Sequence, residues 1–166
     1  DAFADESEFS GAYQNLIKGF NDGMKIHINS ILKILGLLKE YSEGDLTNEM
    51  PTLPGKQIIA TERMNLLRQN ILNLISDVDV LVEAASREEF GTRADADKHN
   101  GDFRKIVAGI NKTLELVADK LFIYEASLDS LPFPVSVTDM DMNWIFFNRA
   151  VSEVTGLKRE DMLGKQ

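Results

Sequence analysis

Two histidines, His27 and His99, and two aspartates, Asp139 and Asp141, are the side chains that come nearest to metal or acid–base chemistry in a sequence with no Cys. A transition-metal site takes three or four His, Cys or carboxylate ligands, so two histidines far apart in the chain are a poor start for one. His27 reads as a residue at the edge of an apolar seam and His99 as a loop residue. Asp139 and Asp141 fall in a turn between two β-rich segments, where a short carboxylate bonds its own backbone more readily than it performs proton transfer. Gly-rich phosphate loops and nucleophile elbows are absent. No catalytic residues, metal ligands or cofactor-binding residues are therefore expected in this segment, and an enzyme is not expected.

Composition narrows the remaining classes. The 166 residues carry a formal charge of −9 and are 43% hydrophobic, which suits one or two small folded units. A sequence pI near 4.7 argues against nucleic acid as a partner, because Lys and Arg must supply that attraction. The longest apolar run, Ile31 to Leu38, is interrupted by Lys33 and is far shorter than the roughly 20 residues of a membrane-crossing helix. The acidic Asp5, Glu6 and Glu8 and the run Arg87, Glu88, Glu89 read as solvated surface. The chain opens on Asp1 and stops in mid-pattern at Gln166, as an excerpt from a longer protein would.

The elements that position these residues repeat. GAYQNLIKGFN, Gly11 to Asn21, returns as GDFRKIVAGIN, Gly101 to Asn111, and more faintly from Gly55 to Asn65, with starts 44 and 46 residues apart. Periods of this size indicate stacked supersecondary units that cannot bury their apolar faces alone. Each unit reads as helix, spacer, helix. Apolar residues step by three and four through Met64, Leu67, Ile71, Leu74, Val78 and Leu81, and again through Phe103, Val107, Ile110, Leu114, Val117 and Leu121, which is a heptad seam. In the first helix Ile17, Met24, Ile31 and Leu38 keep strict sevens, while their companions shift register at His27/Ile28, as at a phase change in a long coiled coil. One continuous helix is expected there. Ile75 and Val82 widen the middle stripe, so a four-helix arrangement is expected.

The spacers carry Gly and Pro breakers together with apolar Leu46, Met50 and Leu53, and the second substitutes Phe90 and Ala94 for Leu46 and Met50. Leu46, Met50 and Phe90 are the expected anchors of a crossing strand. A spacer of this length lets the second helix run parallel to the first, since an extended residue covers about twice the axial rise of a helical one. The commoner alternative is an antiparallel helical hairpin with a short loop.

In these residues, EGDLTNEM, the dotted connector and the two helix openings, the chain resembles tandem HAMP domains, the dimeric signal relays of bacterial receptors and sensor kinases. The resemblance implies a mainly α fold of parallel homodimeric four-helix coiled-coil units with extended connectors. It also implies boundaries: residues 1–28 the second helix of a truncated upstream unit, 28–77 one unit, 78–127 another. The family often places an acidic pair and a small residue at the second-helix start, where this chain has Gly101 and Asp102 or Gly55 and Lys56. A close balance between packings is expected at the His27/Ile28 step and at the polar Thr61, Arg68 and Asn111.

Residues 128–166 change character. SLDSLPFPVSVTD, FFNRAVSEVTG and KREDMLGK resemble the start of a PAS domain of the kind found in methyl-accepting chemotaxis proteins, giving a truncated α/β element. Missing strands would cover Val135, Val137, Trp144 and Phe146, so this part is expected to be poorly folded or mispaired by itself. The ligand chemistry of a complete PAS domain is unknown from these residues.

Together the resemblances imply a signal-transmission segment of a bacterial chemoreceptor. Its partners would be a second copy of itself and a downstream domain in the same chain that couples to a chemotaxis kinase, on the cytoplasmic side of the inner membrane or in the cytoplasm. The alternatives are a relay segment of a sensor histidine kinase and a passive coiled-coil spacer. A phospho-accepting histidine is usually followed by an acidic residue, whereas His27 precedes Ile28 and Asn29.

Overall fold

Heptad-spaced apolar residues and the absence of Pro between Gly11 and Ser42 allow one uninterrupted helix, and the computed structural model, which describes residues 3–165, has α1 over Gly11–Ser42. Two more long helices follow, α2 over Ile58–Ser86 and α3 over Gly101–Asp129. All four prolines lie between helices. The remainder is small: strands β1 (Ser136–Thr138) and β2 (Trp144–Phe147), then α4 (Arg149–Thr155) and α5 (Arg159–Met162). The chain divides into two compact units, residues 1–76 and 77–166. No helix among the described residues is long and apolar enough to cross a membrane.

α1 and α2 end on the same motif. Gly44 (φ +87°) and Glu88 (φ +63°) adopt the left-handed conformation that stops a helix. The next amide in each case, that of Asp45 or Glu89, bonds back to the carbonyl of Glu40 or Ala84 at 2.9 Å. Glu88, read from sequence as solvated surface, therefore holds a turn position suited to Gly.

In the first unit, Asn48 lies against Tyr41 and Glu40, and Gln57 against His27, so the connector runs back along α1. Leu46, Met50 and Leu53 bond in turn to Arg68, Asn65 and Thr61, so it also runs back along α2. A strand antiparallel to both helices makes the helices parallel to each other. The second unit repeats this, with His99 beside Asp77 of α2, and Ala94 and Asp97 beside Asn111 and Arg104 of α3. The antiparallel hairpin alternative is not the arrangement found.

The core of the first unit is a cluster of Leu37, Tyr41, Leu46, Met50, Leu53 and Met64. At about 1.5–3 kcal/mol for each large apolar side chain fully covered, connector residues supply half of that cluster. The second unit buries Leu81, Ala84 and Val107 around its helices and Phe147, Ala150 and Val151 around the hairpin.

The hairpin is ordered rather than mispaired. β1 and β2 are antiparallel, with Ser136 opposite Phe147 and an irregularity between Val137 and Thr138. The outer side of β2 is partly paired as well, because Trp144 exchanges backbone bonds with Gly164 and Lys165 at 2.9 Å. Fully buried Asn148 completes it, accepting from the Val135 and Val151 amides and donating to the Leu128 and Phe133 carbonyls. Val137 remains half exposed, while Val135, Trp144 and Phe146 are partly covered.

Candidate functional site

A Gly with positive φ opens α1 (Gly11, +61°), α3 (Gly101, +58°) and the short 3-10 turn that leads into α2 (Gly55, +57°). Ten residues on stands an Asn whose side-chain amide grips the backbone of the preceding connector at both its N–H and its C=O. Asn65 accepts from the Met50 amide at 2.7 Å and donates to the Met50 carbonyl at 3.1 Å. Asn111 does the same to Ala94 at 3.0 and 2.8 Å, and Asn21 to Ala4 at 3.3 and 2.8 Å. A primary amide carries one acceptor and two donors on a rigid plane, which matches the N–H and C=O of one extended residue. The Gly-to-Asn spacing seen in the sequence is thus the spacing from a helix start to a clamp.

The clamps also locate the two-residue difference in period. Between clamped residue and Gly, the first and third copies read ADESEFSG and ADADKHNG, whereas the middle copy reads MPTLPG. In both longer copies an Asp caps a short 3-10 turn, Asp5 accepting from Ser7 and Asp95 from Asp97. The hydroxyl and amide of Ser7 hold the Asp5 carboxyl below its ordinary value. Asp5, expected to be simply solvated, is a turn residue. The extra pair of residues is that turn.

Around these common clamps the fillings differ. In the first connector Thr61 accepts from Leu53 N–H and donates to the Pro51 carbonyl. Arg68 donates from Nε to Leu46 O at 2.6 Å and pairs with Glu49 at 3.0 Å. Tyr41 donates its hydroxyl to Asn48 O, and burial raises its pKa. Thr61, Arg68 and Asn111, the polar residues expected to balance two packings, therefore each hold a connector in this structure. In the second connector His99 takes the place of Leu53; it is 5% exposed and bonds Asp77 Oδ2 through Nε2 at 2.6 Å. His99 is on a connector, as expected of a loop residue, yet it is buried and partnered.

Of the predicted seam residues, Met64, Leu81 and Val107 are buried within the chain. Ile17, Ile71, Leu74, Val78, Phe103, Ile110 and Leu114 are partly covered, and Met24, Ile31, Leu38, Leu67, Val117 and Leu121 are exposed. Anchors Leu46 and Met50 are buried and Phe90 is partly covered. Beside the exposed α1 residues an open groove of about 470 Å³ runs between α1 and the start of α2, lined by Ile31, Ile34, Ile59 and Ala60 with His27 and Arg63. Among the described residues no group of three His, Cys, Asp or Glu is placed to hold a metal.

At the far end of α3, Asp129 Oδ1 accepts from the Arg149 amide and from Arg159 Nη2 at 2.8 and 2.7 Å. Arg159 also donates to Phe147 O and lies 4.7 Å above the Phe146 ring. The helix and the hairpin are thereby joined by one ion pair and one buried amide. Asp139 bonds Asn143 and the amide of Asp141, as the turn reading expected, and the Asn143 side chain is the first cause of its lowered pKa.

Two family models match this chain, HAMP N-terminal domain 3 over residues 31–72 and the PAS fold over residues 123–166. The first spans the last third or so of α1, the first connector and half of α2; the second spans the end of α3, the hairpin, α4 and α5. The chain is also 24% identical over 152 residues to methyl-accepting chemotaxis protein McpB of Pseudomonas aeruginosa, an alignment covering 92% of this chain and 18% of that protein. No solved structure matches it. These matches support a mainly helical HAMP-and-PAS region of chemoreceptor type.

Proposed function

We propose that this chain is a signal-transmission segment of a bacterial chemoreceptor, working as a parallel homodimer that relays helix displacement towards a PAS module and an output domain. The observation that carries the reading is the parallel pair α1 and α2, bridged by a bonded connector, with one heptad face uncovered. Ile31 is 54% exposed and Leu38 43%, positions that a monomer would leave wet and a second copy would cover. Two helices from each of two copies make the four-helix unit. Residues 28–77 and 78–127 are then successive units, preceded by part of another and followed by the start of a PAS domain at 128–166. The relay works if two packings of the shared seam differ by a few kcal/mol, so that a small push changes their populations. Coupling to a chemotaxis kinase would pass through a further domain of the same protein, on the cytoplasmic side of the membrane.

Disulfide trapping tests the arrangement. Ile71→Cys, Leu74→Cys and Val78→Cys are expected to crosslink each to its own counterpart in a second copy. Crosslinks between unlike positions running in opposite directions, or a stable single-chain species at micromolar concentration, would overturn it.

A further inference from the structure

Three connectors of two designs share one contact. Met50 stands five residues before its Gly and Ala4 and Ala94 seven, yet each exchanges both backbone bonds with the Asn ten residues after that Gly. Bonds from the connectors to the preceding helix do not recur in this way. The first connector uses Tyr41 and Glu40 near the bottom of α1 and, just past its Gly, sets Gln57 against His27, whereas the second uses His99 and Asp77 near its own far end. What recurs on that side is only the left-handed turn at Gly44 or Glu88.

We propose that Asn21, Asn65 and Asn111 are positioning residues that fasten each connector to the helix after it, so that connector and second helix move as one body. The left-handed turn after the first helix is then the joint. This deepens the relay reading and rests on it for what the movement is for, since a displacement arriving along the first helix would cross the joint and shift connector and second helix together. An Asn is suited to the task because its amide satisfies a donor and an acceptor that would otherwise lie half-buried without partners. Substitution by Asp keeps the acceptor for the connector N–H and loses the donor to the C=O, which separates the clamp from mere occupancy of the position.

Native-state amide exchange followed by NMR on the whole chain tests this without any signalling readout, so its failure and the failure of the relay are distinguishable. In the unsubstituted chain the Met50 amide is expected to share its opening, and its urea dependence, with the α2 amides around Asn65. Asn65→Ala is expected to speed Met50 exchange by about tenfold, the value of one ordinary hydrogen bond, while the Ala94 amide is unchanged. Asn111→Ala should do the reverse. Asn65→Asp should retain most of the Met50 protection, and it serves as the readable variant if the alanine change unfolds the unit. Unchanged Met50 exchange in Asn65→Ala, or a Met50 amide that opens independently of α2 in the parent chain, would overturn the proposal.

Discussion

The first and second connectors are two solutions to one geometric problem. Both leave a helix through the same left-handed turn, both are gripped by an Asn at one extended residue, and both run back between parallel helices. Between those points both carry polar bonds, but the first buries three apolar side chains and the second has a buried imidazole where the first has Leu53. Leu46, Met50 and Leu53 are all buried in the first, whereas the second offers Phe90, Ala94 and the His99–Asp77 bond. The path of a connector is thus set by backbone bonding and can be packed in either chemistry. An apolar filling draws its stability from removed surface, while a buried imidazole contributes only if its partner stays in place.

The largest way to break the comparison is Met50→Ala, which gives the first connector the residue that the second already has. Met50 is 2% exposed, so the change is expected to cost about 2–4 kcal/mol in urea unfolding, whereas Phe90→Ala, at a partly covered site, should cost clearly less. Equal losses would mean that the second connector depends on its anchor as much as the first. A smaller test exchanges the turns. Glu88→Gly should stabilise by about 1 kcal/mol and Gly44→Ala should destabilise by a similar amount, because a side chain in the left-handed region costs about 1–2 kcal/mol. At Gly44 an added Cβ meets nothing within 4 Å, so backbone strain alone decides the result there.

The smallest effect is in the pH dependence. Asp45 at the start of the first connector is held below the ordinary aspartate value of 3.8 by the side chain and amide of Thr47. A depressed folded value means that the stabilisation is complete above the ordinary value and is lost as pH falls through the lowered one. The Thr47 amide resonance should therefore move during acid titration with a midpoint below 3.8. A midpoint above the ordinary value would mean that the carboxylate is not the acceptor there.

Much of the helical plan was legible from residue types. Steps of three and four from Met64 to Leu81 and from Phe103 to Leu121 correspond to α2 and α3, and the seven-residue spacing through His27/Ile28 to one unbroken α1. The Gly11, Gly55 and Gly101 repeat was visible, although its meaning was not. The clamps were missed because Asn21, Asn65 and Asn111 sit on helices where a solvated amide and a clamping amide have the same local pattern. A signal was available in the matching ADESEFSG and ADADKHNG, which mark the same short turn twice. The hairpin was expected to fail for lack of strands, and the omitted factors were the Asn148 amide and the Asp129–Arg159 pair, whose partners lie up to 30 residues away.

Periodicity, breakers and repeat length are properties of neighbours along the chain, so the sequence alone determined the three long helices, the two interruptions and the restart of one pattern every 44 or 46 residues. Tertiary structure decided that the helices run parallel, that His99 is buried against Asp77, and that three asparagines hold three connectors. The physical reason is that a polar side chain gains little from its own helix and takes its role from whichever distant backbone group is brought within bonding distance, which only the folded path supplies.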